Sequence, residues 1–254
     1  MNTEYNAPGS AVWEKTGFMH MQRYNFAGSY IKDKRVLNVG CGPGYAEEIL
    51  AGYSPRSITG IDYDQKLIEF LRQTKKSTFR NVSIEYIHAD AQHIPRKLGN
   101  FDVIISFENI EHLDDPIKFM QGVANLKSTE KTILILSTPN AMHYSRHPTN
   151  PCCNPYHVRE FDYYELIELV KPFLKNIQTF GQIERNYNDV VLDVEKAFRA
   201  LDSLILVRFE KAIRKLIGKP VKDFNFLPLH TDIEYLTPEN AEKANTFILV
   251  GEVL

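Results

Sequence analysis

The run VLNVGCGPGY, Val36 to Tyr45, constrains this chain more than any other stretch. Val36, Leu37 and Val39 read as a strand, and glycines then crowd at Gly40, Gly42 and Gly44. A strand entering a glycine-rich turn ahead of a helix lets backbone approach a nucleotide closely. The following residues supply the sheet that such a turn needs. SITGID, VSIEYIHAD, FDVIISF and KTILILSTP are strand-like, and helical patterns separate them. One, DQKLIEFLRQ, places Leu67, Ile68 and Leu71 on a single face; others fall near Gly44–Gly52, at DDPIKFMQGVANL and at DYYELIELVK. Strands with near-continuous apolar cores, alternating with helices, predict an α/β fold with a mostly parallel sheet covered on both faces.

The last two strand-like runs, KNIQTFGQ and TFILVGEVL, lie too far apart for a hairpin turn. Between them Val190, Val194, Ala197, Leu201, Leu204, Ile205, Ile213 and Leu216 keep helical spacing up to a Gly-Lys-Pro stop. The expected organisation is a helical lead-in over 1–30 and a nucleotide-binding domain over 31–182 with 246–254. A mostly helical cap is expected over 183–245. The basic residues from Arg208 to Lys222 read as a solvated helix face.

The bulk figures narrow the partners. Of 254 residues, 43% are hydrophobic and 24% charged, as in globular chains, and the formal net charge is -2. A protein living on duplex nucleic acid normally carries a basic surplus, so no nucleic acid is expected. The apolar runs TILIL and SLILV are far shorter than a membrane span, and MNTEYNAPGS shows no signal-peptide pattern. Cys41, Cys152 and Cys153 do not make a disulfide framework. The expected setting is the cytoplasm. A homodimer stays open.

Which nucleotide follows from three places. A dinucleotide fingerprint, G-x-G-x-x-G, would need glycine where Tyr45 stands, and Pro43 removes an amide from any phosphate cradle. Asp62 closes the second strand, where a carboxylate can accept both hydroxyls of a ribose and would repel a phosphate. Asp90 with Ala91 closes the third, placed to accept from an adenine amine. Together these describe an adenosine with a free ribose and no pyrophosphate.

The set resembles the class I S-adenosylmethionine-dependent methyltransferases. VLNVGCGPGY matches their first motif, GID their acidic strand end and HADAQHIP their adenine turn. FDVIISFENIEHLDDP is similar to the branch that includes ubiquinone-biosynthesis O-methyltransferases. The resemblance implies a Rossmann-like seven-stranded sheet with one reversed strand, and S-adenosylmethionine as cofactor. By match, Gly40, Cys41, Gly42, Gly44, Asp62, Tyr63, Asp90, Ala91 and Phe107 would hold it, with Arg23 and Tyr24 at its methionine end. Amides of Gly40 to Gly44 and the Arg23 side chain would take the amino acid group, and Tyr45 and Phe107 would face the sulfonium.

Two flanks, QRYNFAGSYIKDKRVLNVGCG and STPNAMHYSRHPTNPCCNPYHVREFDYYEL, are similar to bacterial methyltransferases found with surface-glycan enzymes. This points to methyl transfer onto a hydroxyl of a sugar-like acceptor, with His112 or His157 as base. Glu111, His143, Tyr156 and Arg159 would contact the acceptor. Methylation of an amine or protein nitrogen is an alternative; an NAD-binding oxidoreductase and a non-catalytic cofactor-binding module are others. His143, His147, Cys152, Cys153 and His157 match no standard zinc spacing, so no metal is expected.

Overall fold

The computed structural model describes residues 8, 11–128, 130–146, 154–185 and 230–254. The chain forms two compact units, Met1–Ile183 with Ile233–Leu254, and Glu184–Asp232. Most of the second lies outside the described residues, and with it the helical run expected of the cap and the basic stretch Arg208–Lys222. His147, Cys152 and Cys153 also lie outside them.

The elements in chain order are α1 (Ala11–Gly28), β1 (Arg35–Val39), α2 (Ala46–Ala51), β2 (Ser57–Asp62), α3 (Gln65–Thr74), β3 (Thr78–Phe79) and β4 (Val82–His88). Then follow β5 (Val103–Phe107), α4 (Pro116–Ala124), β6 (Ile133–Pro139), α5 (Tyr163–Val170), β7 (Leu174–Arg185), β8 (His230–Tyr235) and β9 (Thr246–Val253). One sheet runs β3-β4-β2-β1-β5-β6-β9-β7-β8. β1 is parallel to β2 and β5, β2 to β4, and β5 to β6. β9 runs antiparallel between β6 and β7.

The expected seven strands, one reversed, are therefore present, and two more join them. β3 is a two-residue edge strand turned back onto β4 by Arg80 and Asn81, both at positive φ. Those dihedrals suit a two-residue hairpin, which is too short to leave a periodic signal. β8 falls within 183–245, the segment expected to be mostly helical, and β7 runs on to Arg185 at its start.

Burial explains why these runs are strands. β5 is buried at every residue and β1 at four of five, as central strands covered on both faces must be. β4, near the edge, alternates buried Val82, Ile84 and Tyr86 with exposed Ser83 and Glu85. Leu37, Val39, Ile104, Leu134 and Leu136 join one apolar cluster, and their neighbours Val36, Val103, Ile105 and Ile135 join the other. Aspartates start three of the helices: Asp64 accepts from the Leu67 amide, Asp115 from Ile117 and Lys118, and Asp162 forms a capping box with Glu165.

Candidate active site

A cleft of about 1080 Å³ lies over the carboxyl ends of the central strands, where strand order reverses at β1. In an open α/β sheet this edge is where ligands bind. Gly40, Cys41 and Gly42 after β1, Asp62 and Tyr63 after β2, and Asp90 and Ala91 after β4 line it. Phe107, Glu108 and Asn109 close β5 on the same side, and α1 contributes Thr16, Met19, His20, Arg23 and Tyr24. These α1 residues recur at three- and four-residue intervals, which puts them on one face of the helix.

Asp62 organises the first half of the cleft. It is buried, and its Oδ2 accepts from the Gly42 amide at 3.0 Å while Oδ1 accepts from Asp64 at 3.0 Å. A carboxylate offers about four acceptor positions, so these two amides do not by themselves exhaust it. The turn is held elsewhere by the Ile61 carbonyl, which accepts from both Gly40 and Cys41, and by Cys41, which accepts from Gly44. Gly40, Gly42 and Gly44 all have positive φ, which the turn requires.

The helical wall carries a buried cation. Arg23 is 1% exposed; its Nη1 donates to Gln182 Oε1 at 2.5 Å and Nη2 lies 3.7 Å from Glu108 Oε2. Among the described residues its Nε has no hydrogen-bond partner. Beside it stand Tyr24, Tyr45 and Phe107, with Tyr24 5.0 Å from Phe107 and 5.9 Å from Tyr45 between ring centres. Burial pushes the Tyr24 and Tyr45 hydroxyls above their ordinary range. His20, 3.3 Å from the Tyr45 hydroxyl, is held neutral by burial and by the Arg23 charge.

The far end of the cleft is built by the turn after β5 and the loop after β6. His112 Nδ1 meets the Tyr156 carbonyl at 2.9 Å, and His157 Nδ1 meets Glu160 Oε1 at 2.6 Å. An oxygen acceptor there means Nδ1 carries the hydrogen, so Nε2 is the basic nitrogen of each ring. The two rings sit 4.9 Å apart, nearly perpendicular. Asn154 Nδ2 donates to His157 Nε2 at 2.9 Å. Glu111, fully buried, accepts from Thr138 Oγ1 at 2.9 Å, and its carbonyl accepts from Val158 and Arg159. Burial, with the Glu108 carboxylate adding to it, holds the Glu111 carboxyl well above the ordinary range.

Residues 37–132 match a family model described as "Methyltransferase domain". A probable S-adenosylmethionine-dependent methyltransferase of Mycobacterium tuberculosis is 31% identical over 135 residues, covering 53% of this chain and 46% of that protein. Residues 37–132 thus carry a methyltransferase domain, and the chain shares its fold with S-adenosylmethionine-dependent methyltransferases of known structure. A ubiquinone biosynthesis O-methyltransferase of Glaesserella parasuis is 32% identical over 122 residues, covering 44% of this chain and 51% of that protein. The chain thus spans about half the length of the curated relatives it matches. Magnesium protoporphyrin IX methyltransferase from Synechocystis PCC 6803, crystallised with bound S-adenosylmethionine, shares the fold. Its TM-score is 0.54 at 14% identity, over 71% of this chain and 82% of that one.

S-adenosylmethionine, the cofactor of these relatives, fits the donor set of the cleft. A buried guanidinium with an orphaned Nε suits an amino acid carboxylate, and the Asp62 carboxylate suits a ribose diol. The turn contributes differently from expectation. The amides of Gly40, Cys41, Gly42 and Gly44 are spent on Ile61, Asp62 and Cys41, and Pro43 has none, so the turn offers shape in place of donors. Gly44 does not line the cleft. A Cβ there would stand 2.8 Å from Leu71 Cδ2 and 3.0 Å from the Tyr86 hydroxyl, so its bareness serves packing behind the turn. Asp90 borders the cleft, and its two oxygens also cap the next turn, Oδ1 accepting from Gln92 N and Oδ2 meeting His93 Nδ1. Tyr63 lines the mouth at 63% exposure.

Two residues expected at the acceptor lie away from the cleft lining. Arg159 pairs with Glu165 at 3.2 Å and stacks over Phe161, and His143 meets the Glu242 carbonyl. Tyr156, Glu111, His112 and His157 do line the cleft. Sequence reasoning missed His20 and Glu108, and it reached Asn154 and Glu160 only as parts of the NPYHVRE run. Glu108 was visible in FENIEH, and its backbone at φ 48 marks a strained position of the kind that clusters at functional sites.

Proposed function

We propose that this protein transfers a methyl group from S-adenosylmethionine to a hydroxyl oxygen of a small polar acceptor, a sugar or sugar-like group in surface-glycan assembly. The cofactor supplies a methyl made electrophilic by the sulfonium charge. Arg23 pairs with the amino acid carboxylate, and Asp62 fixes the ribose. The faces of Tyr24, Tyr45 and Phe107 suit a cation and keep water out. His112 and His157 hold the acceptor, and one imidazole takes the hydroxyl proton at Nε2 as the carbon–oxygen bond forms. A sugar hydroxyl is far less acidic than imidazolium, so the proton moves in the transition state and not before it.

The observation that supports an oxygen acceptor best is the pair of imidazoles 4.9 Å apart, each with Nδ1 committed to an oxygen. The glycan setting rests on the likeness of the Ser137–Leu166 run to surface-glycan methyltransferases. The test is incubation with S-adenosylmethionine and a panel of nucleotide sugars and oligosaccharides, followed by mass spectrometry. The expected result is a singly methylated sugar with one S-adenosylhomocysteine per product. Methylation of amines alone would replace this reading with the nitrogen one.

A further inference from the structure

We infer that Glu111, His112 and His157 form a binding site for one divalent transition-metal ion at the acceptor end of the cleft. One ligand atom from each of the three lies within 4.8 Å of the others. The two histidines are half-buried and the carboxylate is fully buried. Two imidazoles with one carboxylate is the donor set of many catalytic zinc and iron sites, which keep further positions open for substrate. Bonds near 2.1 Å in a tetrahedral site set ligand atoms about 3.4 Å apart, so binding would draw the three side chains closer together.

The second observation is how each side chain is held. Ligating histidines usually donate their other ring N–H to an oxygen, which fixes ring and tautomer. Here His112 Nδ1 is tied to the Tyr156 carbonyl and His157 Nδ1 to Glu160. Glu111 Oε2 accepts from Thr138, while its Oε1 is buried and, among the described residues, has no hydrogen-bond partner. With both Nδ1 atoms tied, an ion would be taken by the two Nε2 atoms and Glu111 Oε1, His112 and His157 giving up whatever contacts their Nε2 atoms make. His157 must exchange its Asn154 contact for the ion, and Asn154 is exposed and able to turn away. Arg23, the buried cation of the same cleft, is answered by Glu108.

The inference takes its location from the acceptor end described above but not its chemistry. An ion held there would occupy both Nε2 lone pairs and leave open positions for acceptor hydroxyl oxygens; it would then replace the imidazole base by polarising the hydroxyl, whose proton would pass to water.

The test uses full-length protein stripped with a chelator, then titrated with Co²⁺ alone and followed by absorption, with Zn²⁺ competition measured by elemental analysis. The expected result is one equivalent per chain with visible bands of a nitrogen-ligated ion, lost at least about 100-fold in affinity in His112→Ala and His157→Ala. Cys152→Ser/Cys153→Ser should retain the ion. Ion binding that survives both histidine variants, or no binding by the native protein, overturns the inference. Thermal melts establish that the variants fold; if either does not, conversion of His157 to Asn with the same loss serves in its place. Methylation that continues undiminished in excess chelator would overturn the site's catalytic use and leave the proposed methyl transfer standing. Metal binding without any methylated product would do the reverse.

Discussion

At the cofactor end of the cleft, Asp62 reaches the Gly42 amide 20 positions back and the Asp64 amide 2 positions ahead. At the acceptor end, His112 reaches the Tyr156 carbonyl across 44 positions, and Asn140 anchors its loop on the Ala244 carbonyl across 104. The ribose side of the first end is made of strand tips in one continuous sheet. The second is made by folding one loop over another. Local anchoring ties ligand binding to folding, because the group that would hold the ribose also holds the turn. Distant anchoring separates them, because the two histidines can be removed without touching the sheet.

Asp62→Ala should give the largest effect. It removes the proposed ribose acceptor and leaves the Gly42 and Asp64 amides without their charged partner. Charge-assisted bonds contribute about 1.5–3 kcal/mol each, so affinity for S-adenosylhomocysteine should fall at least about 100-fold by calorimetry, with a lower melting temperature. Affinity within a few-fold of the native protein would break the comparison at its first end. His112→Ala and His157→Ala should behave in the opposite way. Each should lower kcat about 100-fold or more while cofactor affinity and melting temperature change little. Parallel losses in affinity and kcat would show that the two ends are not separable.

The same contrast explains what could be read in advance. β1, the glycine turn, Asp62 and Asp90 are each carried by a few consecutive residues, so their placement at one sheet edge follows from strand alternation alone. The spent amides of the turn could not be read, because the Ile61 carbonyl that takes two of them belongs to another strand. Arg159 and His157 lie two apart in one run, yet only His157 enters the cleft. The deciding partner is Glu165 on α5, which draws Arg159 away. Likewise the closeness of Glu111, His112 and His157 depends on Val158 and Arg159 both donating to the Glu111 carbonyl, a pairing with no periodic signal. The spacing argument against metal concerned a different set of residues, chosen because they were neighbours in sequence.

Gly40→Ala sharpens the local half. At φ 72 an alanine sits in the left-handed region, and its Cβ would stand 2.9 Å from Asn109 Oδ1. Backbone strain and the displaced amide together should cost about 2 kcal/mol in chemical denaturation. Asn109 Nδ2 donates to Ser106 Oγ, so the disturbance should spread to the end of β5 and not to the histidines. Unchanged stability would mean that the turn tolerates a side chain.

Glu47 gives the smallest effect and the finest test of what stands behind the cofactor end. It lies fully buried in the first turn of α2, accepts from Asn38 Nδ2 at 2.7 Å, and would stand 3.0 Å from a Cβ at Gly60. Burial raises its carboxyl to about 7, with the Asn38 bond opposing the rise. The native state therefore keeps this proton through a range in which the unfolded chain has lost it. The stability it contributes is complete below the ordinary carboxylate value and is lost as pH rises through about 7. Between about pH 5.5 and 8 the loss should be about 2 kcal/mol. Glu47→Gln cannot ionise and carries amide hydrogens near Asn38 Oδ1, which among the described residues lacks a partner. Its stability advantage over the native protein should grow by that amount across the range, measured by urea unfolding at both ends. Curves that stay parallel would mean Glu47 is already ionised in the fold, and that the wall behind the glycine turn holds a charge where close packing predicts a neutral acid.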